Sequence, residues 1–457
     1  LGDVYKRQAL IMRRIRPFFA ALLALAMTAS LSACESAEKI FGTDKDPPLP
    51  GERLSILQLQ KDLVPNPALE AEDIALPEIW QNKFWPQAGG YPNHAMTHVA
   101  LAPQFKKTWE VSIGDGGDKR TPLTAIPVVA EDRVYTLDTA GNLAAFDVQD
   151  GKRLWRVSIV PRGEGSSGAV GGGLAWHEGK LYVTAGYKHL MAVDPASGGQ
   201  IWRAVLPAPA RTAPTVMDGR VYVVTLDNRL MVYETAEGKL LWQHTGVSEA
   251  TNLLGSASVA ADETLVVLPL SSGELYGLRP ENGQVVWQDN LSAIRRGGSL
   301  SAIADVRGLP VIDRGIVFAV SYSGRMVALD QVTGQRRWQR EIGSAEMPWV
   351  AGDTLYMITG DQQIAALKRS TGEVRWVVDL PRWEDKKHTE PVVWSGPVLA
   401  GDRLIVTGSN RDMLELSPLN GDTMATHRLP GATMLPPVAA GGTMIILSQN
   451  GDLSAWR

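Results

Sequence analysis

The chain has 457 residues, a formal net charge of −4, 44% hydrophobic and 21% charged residues, and one cysteine. That length exceeds the roughly 250–300 residues that one globular core serves, so it predicts several domains or one architecture built by repetition. A lone cysteine excludes an internal disulfide and a thiolate zinc site, and the mild negative charge gives no reason to expect nucleic acid as a partner.

In chain order, residues 1–11 fit no targeting pattern and are expected to be non-native, with translation starting at Met12. Arg13, Arg14 and Arg16 precede an apolar stretch from Phe18 to Met27, followed by small residues, which predicts a secretory signal peptide over 12–33. The apolar run is shorter than the ~20 residues of a membrane-spanning helix. Leu31-Ser32-Ala33-Cys34 resembles a bacterial lipobox. That resemblance implies acylation of Cys34 and, with Glu35 next, sorting to the outer membrane. Several acyl chains anchor stably, at ~0.8 kcal/mol per buried CH₂. Residues 34–78 hold many charges and prolines, as in Lys45-Asp46-Pro47-Pro48-Leu49-Pro50, and predict a flexible tether behind the acylated cysteine. Within it, Leu54 to Leu63 is apolar enough for a short strand or helix. Residues 79–105 form a lead-in segment that contains Trp85-Pro86-Gln87-Ala88-Gly89-Gly90.

From about residue 106 one unit recurs. It runs Pro127-Val128-Val129, then Arg133 to Leu137, then Asn142 to Asp147, then a turn at Asp150-Gly151 and a last run ending at Trp155. Short alternating apolar runs between such turns predict four antiparallel strands per unit. The unit-ending tryptophans are 109, 155, 202, 242, 287, 338 and 376, spaced 38 to 51 residues apart. Ala425 takes the next such position. Four strands at a period near 40–50 mean propeller blades, and the period-two patterning excludes helical repeats. The turn before each third strand occurs eight times, from Gly141 to Gly451.

The expected fold is therefore all-β: an eight-bladed propeller of four-stranded antiparallel blades over 106–457. The chain stops after a third strand, so Lys106 to Ile113, with Trp109, is expected to pair into the last blade and close the ring. This removes an unpaired edge. The repeated Trp is expected to pack against the neighbouring blade.

Reactive groups are sparse. His94 and His98 follow Gly89-Gly90-Tyr91-Pro92-Asn93 and read as a solvated loop, not a metal site. No G-x-S-x-G elbow and no H-E-x-x-H occurs. Gly163 to Gly173 lacks a Gly-Lys-Ser/Thr ending and suits a connection between blades. Arg295-Arg296-Gly297-Gly298 reads as a small solvated basic loop. Asp138, Asp147 and Asp330 fit turn chemistry. No catalytic residue, cofactor or metal is expected.

The pattern A-x-D-x-x-T-G-x-x-x-W, as from Ala328 to Trp338, resembles the repeats of pyrroloquinoline-quinone enzymes, which are eight-bladed periplasmic propellers. The family's alcohol dehydrogenases carry adjacent cysteines and long insertions that this chain lacks. Lipobox, tether, the Trp85 to Gly90 segment and eight plain repeats together resemble the BamB family, the propeller lipoproteins of the outer-membrane β-barrel assembly machinery. That resemblance implies a non-enzymatic scaffold at the periplasmic face of the outer membrane, held there by its lipid anchor. Its implied partners are BamA, through the POTRA domains, other members of the complex, and unfolded outer-membrane protein clients. Family contacts come from loops on one face. Asp305 matches the first acid of the family's S-D-V-D-T-P-V loop, and Arg307 departs from the second. Leu253 and Leu254 stand where the family has a Leu-x-Leu-Arg core, without its Arg. The alternatives are a periplasmic quinoprotein dehydrogenase or another periplasmic propeller binding module. Exposed strand edges at the rim are a further expected surface, for β-augmentation.

Overall fold

Two kinds of turn direct each repeat. The first hairpin is tight, as at Asp218 and Gly219, where both residues take positive φ of 47° and 72°. Such pairs match the twist of flanking antiparallel strands. In the repeats ending at Trp155, Trp202 and Trp338 the turn before the fourth strand is braced by an aspartate. The Asp330 carboxylate accepts from the backbone N–H groups of Val332 and Thr333, at 3.2 and 3.0 Å. Asp147 does the same for Gln149 at 2.7 Å. Between these turns the alternating runs pair as meanders.

The computed structural model describes residues 63–457 apart from 105, 119, 166–170, 211, 248–256 and 293–304. These residues form eight four-stranded antiparallel sheets. Blade one comprises Val128–Ala130, Arg133–Leu137, Asn142–Asp147 and Arg153–Ser158. Blades two to seven span Gly173–His177 to Gln200–Val205, Thr215–Met217 to Leu240–Thr245, Ala260–Ala261 to Val285–Asn290, Val311–Asp313 to Arg336–Arg340, Trp349–Ala351 to Val374–Asp379, and Trp394–Ala400 to Thr423–Arg428. Blade eight has Val438–Ala440, Thr443–Leu447 and Asp452–Trp456, and its fourth strand is Lys107–Ser112. Val111 faces Leu453 and Ser112 faces Asp452. The expected eight-bladed propeller, closed by an N-terminal strand in the last blade, is the fold observed.

The first three strands of each blade are mostly buried, while the fourth alternates between exposed and half-buried residues, as in Arg153–Ser158. The repeated Trp takes an inward position of this strand, half-buried at 109, 155 and 242 and buried at 202, 287, 338 and 376. Each of the seven indoles donates its Nε1–H to a backbone carbonyl in the turn of the following blade, at 2.9 to 3.1 Å. Trp338 bonds to the Arg369 carbonyl at 2.9 Å. Three residues beyond that acceptor is Gly372, at φ 68°, and a Cβ there would lie 2.7 Å from the Trp338 ring. The Trp of one repeat and the Gly of the next are thus one packing unit. Ala425 breaks the pattern where blade eight has no such turn, because its third and fourth strands come from opposite ends of the sequence. There His427 meets Trp456 edge-on, with centroids 6.0 Å apart.

The sequence reading runs the flexible tether to residue 78, but from Leu63 on the chain lies against blade six. The Asn66 backbone N–H donates to the Val374 carbonyl at 2.8 Å, and its side chain donates to Glu373 at 2.9 Å. Leu69 is buried in a single 3-10 turn, Pro67–Leu69. Glu72 receives the Lys368 ammonium at 2.7 Å. One apolar anchor and an ion pair are enough to lay a proline-rich strand of chain on the sheet.

Candidate functional site

A four-stranded meander sorts its turns by face. The first and third turns of blades one to seven lie on one face; the middle turns and the connections between blades lie on the other. The centre of the ring, the connection face and the outer rim are the surfaces on which a propeller can act, and each begins with a different part of the sequence.

The centre is taken by the chain itself. Residues 82–99 travel once round the axis and hydrogen-bond the innermost strand of each blade, or the residues beside it, in ring order. Asn82 accepts from Gly441 and donates to the Ala439 carbonyl, in blade eight, at 2.7 and 2.5 Å. Trp85 exchanges two backbone bonds with Val129 of blade one, at 2.8 and 2.9 Å. The Pro86 carbonyl accepts from Trp176 of blade two at 2.7 Å. The Gln87 amide both donates to and accepts from the Val216 backbone of blade three, at 2.8 Å each. The carbonyls of Pro92, Asn93 and Thr97 accept from Ala261, Ile312 and the Trp349 indole, in blades four, five and six, at 2.8, 2.9 and 2.5 Å. Val99 donates to Leu399 of blade seven at 3.1 Å. We refer to this segment as the belt. It satisfies strand edges that would otherwise face the axis, and it buries Trp85, Met96 and Val99 almost completely.

His94 and His98 belong to the belt, so the expectation of a solvated loop is corrected: both are buried. The His94 Nδ1–H donates to the Pro310 carbonyl at 2.6 Å, and burial pushes its pKa down to about 4. The His98 Nδ1–H donates to Pro77, and its Nε2 accepts from the Asp402 backbone at 2.9 Å. Gly89 and Gly90, at φ 74° and 97°, turn the belt where a Cβ on Gly90 would sit 2.1 Å from the Met96 sulfur. The signal for burial was present: no Asp, Glu, Lys or Arg lies between Lys83 and Lys106. A redox cofactor held in the central channel does not fit this chain at the level of the belt. It would have to displace Trp85, whose ring stacks on Trp349 with centroids 6.2 Å apart.

Of the expected contact residues, Asp305 and Arg307 lie on the connection face, in the linker from blade four to five. Leu253 and Leu254 lie outside the described residues, as do Cys34 and Arg295-Arg296-Gly297-Gly298. Asp305 is only 1% exposed, and its carbonyl accepts from the Tyr322 backbone at 2.9 Å. It is a packed residue of this loop and does not project from it. Arg307 is half-buried beside Glu346. Glu346 accepts from the Gly396 backbone N–H at 3.0 Å. It is partly exposed as a residue, yet desolvation of its carboxyl pushes its pKa up to about 7, against the pull of that N–H and of Arg307. The sequence reading missed Glu346, which no motif marks. Here two linkers of the connection face and the first strand of blade seven meet around one carboxyl that changes charge near neutrality. That arrangement can recognise a charged partner.

Comparison with known proteins agrees with this geometry. Residues 97–167 and 139–378 match the sequence family described as outer membrane protein assembly factor BamB. Outer membrane protein assembly factor BamB of Yersinia pestis is 27% identical over 359 residues, which cover 77% of this chain and 88% of that protein. The crystal structure of BamB from Moraxella catarrhalis superimposes with a TM-score of 0.66 at 17% identity, covering 78% of this chain and all of that one. The quinohemoprotein alcohol dehydrogenase of Comamonas testosteroni shares the fold, with a TM-score of 0.63 at 12% identity over 82% of this chain and 80% of that one.

Proposed function

This chain belongs to the family of the outer membrane protein assembly factor BamB, and we propose from that premise that it works as a non-enzymatic scaffold in the assembly of outer-membrane β-barrel proteins. Acylated Cys34 and the residues behind it tie the ring to the periplasmic face of the outer membrane. The linkers that carry Leu253, Leu254, Asp305 and Arg307 hold the POTRA domains of BamA, with Arg307 half-buried and Asp305 packed beneath it. Other members of the complex and unfolded clients are then brought to one place. The observation that carries this reading is the family match over residues 97–378, joined to an axis filled by the chain's own belt. A propeller whose centre is occupied acts through its faces and rim. A closed ring of locked sheets offers those surfaces without reorganising, which lowers the entropy lost on binding.

A photoreactive residue at position 307 of the full-length lipoprotein tests it. The expected result is an adduct with BamA in growing cells, and in a chain without the probe Arg307→Glu should weaken co-purification with BamA. A probe that stays unlinked, in a chain that also fails to co-purify with a barrel insertase, overturns the reading. Dye-linked alcohol oxidation on addition of quinone and calcium would overturn it too.

A further inference from the structure

Blade six shows what the outer edge of a blade accepts. In seven blades the residue two places before the Trp position, or before Ala425 in blade seven, is exposed; in blade six it is Val374, 7% exposed. The difference is the chain segment from Leu63 to Leu69, which gives a backbone N–H to the Val374 carbonyl and tucks a leucine against the sheet. The outer edge of a blade is thus covered by the protein's own polypeptide, through one main-chain bond and a leucine held in a 3-10 turn.

The corresponding pairs elsewhere differ in chemistry. Blade five has Arg336 and Arg337, engaged by Asp289 and Asp330 at 2.6 and 2.7 Å. Blade eight has Lys107 and Thr108. Blades three and four have two aliphatics each: Leu240 and Leu241, then Val285 and Val286, all 40 to 45% exposed. Neighbouring blades therefore present the same apolar step, in the register that blade six fills from its own chain.

We propose that the outer strands of blades three and four, at Leu240-Leu241 and Val285-Val286, bind extended polypeptide with alternating aliphatic residues, as an unfolded outer-membrane β-strand carries them. The backbone N–H of the bound strand takes the place that Asn66 takes on blade six, and its apolar face covers the exposed leucines and valines. The blade-six precedent is a polypeptide with a main-chain bond, which favours a strand over a lipid surface. The identity of the client rests on the assembly role proposed above; the edge chemistry does not.

The test places a photoreactive residue at 241, 286 or 337 in the full-length chain in cells. Newly made outer-membrane β-barrel polypeptides are expected on 241 and 286 and not on 337. With probes at 240 or 285, the pair Leu241→Arg and Val286→Arg should lower capture about tenfold, with an unchanged melting curve and unchanged adducts from 307. Equal capture at 337 overturns the proposal. So do adducts of a second copy, or of lipid alone. Silent 241 and 286 probes with a productive 307 probe overturn the edge site and leave the scaffold reading intact; silence at all of them sinks both.

Discussion

His94 meets opposite demands inside and outside the folded state. Folded, it is buried with its Nδ1–H on the Pro310 carbonyl and a pKa near 4; unfolded, its ordinary value is 6.5. Above pH 6.5 both states hold the neutral ring, and its contribution is fully present. As pH falls from 6.5 towards 4 the unfolded chain takes up a proton that the native one refuses, and stability drops, by up to about 3 kcal/mol. Glu346 runs the other way, since its raised pKa favours the native state below 4.5 and the benefit fades as pH rises through 7. Comparing the wild type with His94→Asn separates the two, because Glu346 is common to both. Asparagine tolerates the positive φ of 59° here and can donate the same bond without titrating. Urea midpoints at pH 7.5 and 4.5 should fall less in the variant; parallel losses would remove His94 from the account. The charge-free stretch around this histidine hinted at burial, but the sequence could not show what it bonds to. Its local neighbours are turn-formers, and the carbonyl that fixes it lies 216 residues away.

Between blades, the unit of cohesion is the indole of one repeat on the glycine turn of the next. Gly372→Ala would place a methyl 2.7 Å from the Trp338 ring in a backbone conformation of φ 68°. Gly315→Ala is the matched control, with φ 77° and nothing within 4 Å of the new methyl. The control should lose about 1 kcal/mol from backbone strain, and Gly372→Ala about 1–3 kcal/mol more from overpacking. Equal urea midpoints for the two variants would mean that the indole yields and locks nothing. This level of organisation was largely legible. The spacing of seven Trp, the Gly four residues before all but Trp109, and the lone Ala425 disclosed blade number, strand order and the position of the seam. The docking of Leu63 to Glu78 was not legible, because prolines and charges look the same in a free tether and in one laid on a sheet. Val374 and Lys368, which receive it, read as ordinary blade residues.

The ring as a whole is closed twice. Lys107–Ser112 completes blade eight from outside, and Arg457 adds a bond to the Gln149 carbonyl in blade one at 3.0 Å. Residues 82–99 close it from inside by touching every blade. Periodicity announced the first closure, since a missing fourth strand and an orphan strand are countable. It was silent on the second, because the belt has no repeat of its own and its partners are spread from Val129 to Gly441. A chain beginning at Ala102 distinguishes the two. It keeps the closing strand, and it keeps the Ala102 and Pro103 carbonyls that Arg403 grips. It loses Trp85, Met96 and Val99, each worth roughly 1.5–3 kcal/mol of burial, and a hydrogen bond to each of eight blades. The sum approaches the 5–15 kcal/mol that holds a typical domain together. The truncated chain should therefore retain β-sheet circular dichroism in dilute buffer, unfold at a much lower urea concentration, and bind a hydrophobic dye at its opened axis. Removing 107–113 instead leaves a blade edge unpaired and should abolish the cooperative transition. An unaltered urea midpoint after removal of the belt would show that eight blades hold their circle without it, and that the belt only fills space.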